Sequence, residues 1–369
     1  MPLLSRRALN RATLARQLLL DRSDLSVTEA LEHLVGLQAQ TPHTWYVGLW
    51  TRLAGFRPEH AADLLLDRRL VRTALMRSTI HLVTAADCLA LRPVVQPALD
   101  RDLFTNFLHR RPIEGLDLAE LVAAGRAHLD EQPLTPGELG ALLGQRWPDR
   151  NPASLAYAVR NLAPLVQVPP RGVWGSSGQP RHATAEHWLG RPLDPEPAVD
   201  AAVLRFLAAF GPATVKDIQT WSGLTRLREV VERLRPRLAV FTGEQGEELW
   251  DLPEAPRPDP DTPAPPRFLY DFDNLLLSHA DRSRVLTEAF TRYAAARKGP
   301  VPPGVVLLDG FSGATWRLVR EKSAAALEIR PLAPLGRREA AAVAEEGERL
   351  LAFAASGARS LGVRWLPEP

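Results

Sequence analysis

The chain has 369 residues, 45% of them apolar and 24% charged, with a formal charge of +2, too long for one hydrophobic core and globular rather than disordered in composition. No apolar run approaches the roughly 18 residues that span a bilayer, and the single cysteine, Cys88, excludes an internal disulfide and a four-cysteine zinc site. The opening MPLLSRRALN has no long apolar stretch of the kind that directs secretion, so the expected compartment is the reducing cytoplasm.

Basic residues are skewed, with Lys216, Lys298 and Lys322 set against 42 Arg. A GC-rich coding bias produces such a skew, and so does a surface that grips phosphates; composition leaves both open.

In chain order, helices are expected near 8–19, 27–40 and 58–67, followed by LVRTALM and STIHLV as a hairpin. A second set lies near 116–129, 136–145 and 153–163, with LVQVPPRGVWG and the segment around Arg181 to Ala185 as strands. A third begins at Thr214, breaks at Gly223, resumes at Thr225 and ends in LAVFTG and EELWDL. Ser26-Val-Thr-Glu29, Thr135-Pro-Gly-Glu138 and Thr214-Val-Lys-Asp217 each place a hydroxyl three residues before a carboxylate, the pattern of a capping box. Helices followed by a two-stranded wing, three times over, predict tandem winged-helix units over 1–105, 106–195 and 196–254. Residues 255–267 form a proline-rich linker, since Pro253 to Arg267 holds seven prolines in fifteen residues. Residues 268–369 then make a β-rich module whose strands could close into a barrel, with one helix near 337–356. The class is α+β.

The nine His are scattered, which argues against a metal site, and no phosphate loop, nucleophile elbow or dinucleotide fingerprint is present. Gly172 to Gly178 reads as a wing loop. The informative segment is GLQAQTPHTWYVGLW: Gln38 is placed near a helix end, and Pro42 biases Thr41 out of helical geometry, so Gln38 and Gln40 can converge there. From the spacing alone, solvent-facing or capping glutamines are the plainer reading. Arg77, Thr79 and His81 alternate along one expected strand face, where they track a phosphate or line a cleft, or else His81 is a neutral structural residue. Trp45 stacks on a displaced base or fills the core. Asp271, Asp273, His279 and Arg282 surround the first strand of the last module, facing a channel or bonded internally. Trp174 and Arg181 fall in the second wing, where contact with a duplex is expected of them.

Gly36 to Phe56, LMRSTIHLVTAAD, LVQVPPRGVWG, AFGPATVKDIQTWSGLTRLREVVERL, YDFDNLLLSHADR and LLDGFSGATWRL together resemble the winged-helix DNA glycosylases of the AlkZ/YcaQ type. The resemblance implies three winged helices in a C-shaped body completed by a C-terminal β-barrel. It implies excision of N7-alkylated purines, including those in interstrand crosslinks, with no cofactor. It also implies a nucleoid-associated monomer acting on double-stranded DNA, and in the AlkZ-like branch protection against DNA-alkylating antibiotics. Gln38-Ala39-Gln40 matches that branch's Gln-apolar-Gln signature. An N7-alkylated purine is cationic and leaves readily, so neutral carboxamides that hold a water suffice. The competing class is a non-catalytic regulator whose Thr225 to Arg235 helix reads a major groove.

Overall fold

The computed structural model describes every residue except Met1, Pro300 and Pro369. The described strands are β1 (Leu3–Leu4), β2 (Leu37–Gln38), β3 (Leu70–Ala74), β4 (Ile80–Thr84), β5 (Leu165–Gln167), β6 (His182–Thr184), β7 (Ala239–Gly243), β8 (Glu248–Asp251), β9 (Arg267–Leu269), β10 (Gly304–Leu308), β11 (Phe311–Arg320), β12 (Ala324–Pro331) and β13 (Ser360–Trp365). They form three sheets among fifteen described α-helices, an α+β fold.

All three capping boxes form: Ser26 with Glu29, Thr135 with Glu138 and Thr214 with Asp217 each exchange the two reciprocal bonds. The helices they start, Val27–His33, Pro136–Arg146 and Val215–Ser222, bury one face each. Gly223, at φ +78, ends the third of these, and the next helix is Arg228–Leu234, starting three residues later than Thr225.

The expected hairpins of the first and second units are not separate wings. They merge into one sheet of order β2-β4-β3-β5-β6, joined where Arg72 and Thr73 pair with Gln167 and Val166. Pairing between hairpins more than ninety residues apart leaves no mark on local periodicity. The third hairpin, β7–β8, gains β1 as a parallel neighbour.

The C-terminal strands do not close. Their order is β13-β12-β11-β10-β9, an open sheet whose edges are β9, only three residues long, and β13. The helix Arg337–Ala354 carries the chain across to bring β13 parallel to β12, and β13 and β9 remain unpaired edges. One continuous apolar core links the first helices, the third unit and this sheet, whereas the helices of 103–165 surround a core of their own.

The proline-rich connector lies along the helix Arg6–Arg16. Its carbonyls accept from that helix's arginines: Pro260 from Arg7 (2.7 Å), Thr262 from Arg11 (2.7 Å) and Pro256 from Arg16 (3.2 Å). Seven arginines (11, 16, 52, 72, 92, 267 and 284) are buried, so part of the skewed Arg usage serves internal bonding.

Candidate active site

The helix expected over 27–40 stops at His33. Val35 (φ +56) and Gly36 (φ +83) then turn the chain into β2. Glycine is required at 36, because a Cβ there would lie 2.5 Å from a Val83 methyl and 2.9 Å from the Leu82 carbonyl. Gln38 therefore sits on a strand, opposite His81 of β4, and the ladder continues with Ala39 N–H donating to Ile80 O at 2.7 Å. β2 ends at Gln38 and the chain bends at Gln40, so the pair sits where the strand gives out and not on a helix that would have splayed it.

Both side chains reach the same turn. Gln38 Oε1 accepts from Arg77 Nη2 at 2.8 Å, and Gln40 Oε1 accepts from the Ile80 N–H at 3.3 Å. Each partner is purely a donor, which fixes which end of each carboxamide is oxygen. Neither Nε2 has a hydrogen-bond partner among the described residues. Gln38 is buried and Gln40 exposed.

The backbone of the pair is held as firmly as its side chains. Tyr270 Oη donates to Gln38 O (2.8 Å) and Arg72 Nη2 to Ala39 O (2.7 Å). Asn274 Nδ2 donates to Gly36 O (3.2 Å), while its Oδ1 accepts from Arg77 (3.2 Å). Asp271 accepts from the hydroxyls of Thr41 and Thr44, fixing the loop that follows Gln40. The YDFDN stretch thus grips the glutamine segment from a distance of more than 200 residues in sequence.

The expected polar trio on one strand face is not formed. Arg77 (φ +58) and Ser78 (φ +57) occupy a left-handed turn between β3 and β4, which swings Arg77 toward Gln38 and toward Trp221 O at 2.7 Å. Burial lowers the Arg77 guanidinium to about 10, still charged at neutral pH. Thr79 bonds Met76 O (3.0 Å). His81 is fully buried, with Nδ1 on Thr79 O (3.0 Å) and Nε2 unpartnered; burial, with help from the charge of Arg77, holds it down at about 3 and neutral.

Trp45, Asp273 and His279 are held in buried structural contacts. Trp45 is buried, stacked on Tyr46 at 3.8 Å and bonded to Pro42 O. Asp273 does not face a channel: it forms a fully buried two-point ion pair with Arg52, both contacts at 2.8 Å. His279 is buried against Phe210 O (3.1 Å), and burial pulls it to about 3. Trp174 is half-buried in an aromatic cluster with Tyr46 and Phe353. Arg181 pairs with Glu138 of the second capping box at 2.7 Å. Arg282 is exposed beside the start of the helix Glu288–Ala296, and its charge is close enough to Arg77 to help lower that guanidinium.

Gln40, Arg77 and Thr79 line a cleft of about 570 Å³ whose opposite wall the sequence reading missed. There Asp102 Oδ2 accepts from Tyr157 Oη (2.6 Å) and Ser78 Oγ (3.0 Å), Arg160 donates to Ser78 O (3.2 Å), and His109 stacks on Tyr157. Asp102 lies in the helix Gln96–Thr105 and Tyr157 in Pro152–Leu162. No local motif marks either, since they gain meaning only from facing Gln40. His182, also lining the cleft, is lowered by burial to about 4. Among the described residues no three His, Cys, Asp or Glu side chains gather as a metal site, and no helix is long and apolar enough to cross a membrane.

An interstrand DNA cross-link repair glycosylase of Streptomyces sahachiroi is 26% identical over 380 residues, covering 95% of each chain. The solved structure of Streptomyces sahachiroi DNA glycosylase AlkZ matches with a TM-score of 0.77 at 22% identity, over 99% of this chain and 100% of that one, a likeness of fold. The family described as DNA glycosylase AlkZ-like matches residues 31–353. With that match running through most of the sequence, the chain belongs to the AlkZ-like DNA glycosylase family.

Proposed function

We propose that the protein is a monofunctional glycosylase that hydrolyses the N-glycosidic bond of N7-alkylguanine in double-stranded DNA. The observation that carries this is that both carboxamide oxygens are held by donors of one turn, Gln38 Oε1 by Arg77 and Gln40 Oε1 by the Ile80 N–H, with Gln40 and Arg77 lining a cleft. Each oxygen retains a second lone pair and each NH2 is free to bind, so the two can hold one water beside C1′.

The water oxygen forms the new bond to C1′ as the C1′–N9 bond breaks. The bonding pair stays on N9 and neutralises the cationic base, and the water's proton passes to solvent. Glutamine cannot remove that proton at neutral pH, and a leaving group that departs early does not require it to. The amide oxygens, with the Asp102 carboxylate in the same cleft, oppose the positive charge that develops on the sugar. An abasic site remains. Since the cross-link repair relative is a distant one, unhooking of interstrand crosslinks and self-resistance to an alkylating natural product extend this same reading.

The test is base release from duplex DNA carrying 7-methylguanine, or a bulky N7 adduct, under single-turnover conditions. Wild type releases the base; Gln38→Ala with Gln40→Ala releases at least about a hundredfold more slowly while binding duplex equally well. No release of any N7 adduct, with tight sequence-selective binding instead, identifies a non-catalytic regulator.

A further inference from the structure

The helix Gln96–Thr105 ends in a loop whose tip is apolar and exposed: Phe107 is 78% and Leu108 61% accessible, with Phe104 beside them at 49%. Apolar side chains at the end of a loop ordinarily fold inward, and these are prevented from doing so by anchors on both sides. Asn106 Oδ1 accepts from the Leu108 N–H (3.0 Å) while its Nδ2 donates to Tyr157 Oη (3.3 Å). On the other side His109 Nδ1 meets Ser154 Oγ (3.0 Å) and its ring stacks on Tyr157 with centroids 4.1 Å apart. The tip is presented, not loose.

Its place is equally specific. Asp102 and His109, which flank the tip in sequence, both line the cleft that contains Gln40. Arg110 and Arg111 follow directly, exposed and with no ion-pair partner among the described residues. Two unpaired guanidiniums next to a projecting Phe-Leu pair complement a duplex, with phosphates for the cations and a base step for the apolar wedge.

We propose that Phe107 and Leu108 form a wedge that enters the base stack beside the lesion, occupying space opened when the damaged nucleotide moves toward Gln38 and Gln40. The proposal rests on the glycosylase reading of that cleft. Insertion unstacks one step and supplies the wedge side chains with an apolar environment they lack in the free protein. Arg110 and Arg111 hold the flanking backbone.

The experiment uses the full chain and a duplex with a central tetrahydrofuran abasic analogue next to 2-aminopurine, whose fluorescence rises on unstacking. Wild type raises the signal; Phe107→Ala with Leu108→Ser removes most of the rise, and Phe107→Trp restores it. Affinity for undamaged duplex stays within about threefold, because phosphate contacts dominate it. With 7-methylguanine DNA, single-turnover base release slows by about tenfold or more in the double variant. Equal fluorescence and equal base release in wild type and double variant overturn the wedge. So does loss of concentration-dependent self-association with unaltered DNA signals, which would make the tip a contact between copies. A wild type that releases no base from any adduct, yet gives a Phe107-dependent fluorescence rise, overturns the glycosylase reading and leaves the wedge standing.

Discussion

Replacing Asp273 by Asn separates a structural ion pair from a DNA contact. Asp273 and Arg52 are both fully buried and joined by two contacts of 2.8 Å. Arg52 also donates to Gly48 O (3.0 Å), and Asp273 Oδ1 accepts from the Leu275 N–H (3.0 Å). Neutralising the carboxylate leaves a guanidinium with no counter-charge in a dry interior, which costs about 3–5 kcal/mol. A chain of 369 residues unfolds with an entropy on the order of 0.8 kcal/mol per kelvin, so the melting temperature should fall by about 4–6 °C. Replacing both partners, Arg52→Met with Asp273→Leu, should recover most of the loss, short of about 1 kcal/mol for each remaining bond. Circular dichroism melts of the wild type, both single variants and the double variant measure the coupling directly. Fluorescence anisotropy on undamaged duplex should show no difference among proteins still folded at the assay temperature. An Asp273→Asn variant that melts with wild type but binds duplex with altered affinity would refute the buried pair.

Arg77→Met tests positioning of Gln38. It removes the donor on Gln38 Oε1 and leaves the Trp221 and Asn274 oxygens unpaired, so base release should fall by about tenfold to a hundredfold while duplex affinity holds, each lost bond being worth about 1–3 kcal/mol. A parallel collapse of affinity and rate would mean that Arg77 contacts a phosphate instead. Acid should destabilise the fold through His81, His182 and His279, held by burial at about 3, 4 and 3. Their unfolded values lie near 6.5, so the unfolded chain binds more protons below that pH and stability declines as pH falls from about 6.5 toward 4, by about 2 kcal/mol per histidine at pH 5. Melting temperatures at pH 7.5, 6 and 5 check this, and a flat profile would exclude neutral burial of these rings.

What the sequence made legible was local. The capping boxes at Ser26, Thr135 and Thr214 satisfy themselves within four residues, and the proline-rich connector is written in its own composition. Gln38 and Gln40 were found by motif, but their geometry was assigned to a helix end because nothing nearby announces that Val35 and Gly36 turn the chain into a strand. Asp273 and His279 stayed open between a channel and internal bonding because the partners that decide it, Arg52 and Phe210, lie 221 and 69 residues away. Tyr270 and Asn274 carry no local sign of a role, since a side chain that supports a distant carbonyl has no signature of its own. The parallel pairing of β13 in the final sheet is one that alternation of apolar residues cannot specify.

Tyr270, Asp271 and Asn274 complete the setting of residues 36 to 44, and this imposes an order on synthesis. A ribosome delivers the glutamine pair early, and most of the remaining polypeptide must emerge before the groups that fix it exist. During that interval the nascent protein carries both carboxamides without their final alignment, which becomes possible only once Asn274 of the 369 residues has been added, and a product terminated before Tyr270 would lack it.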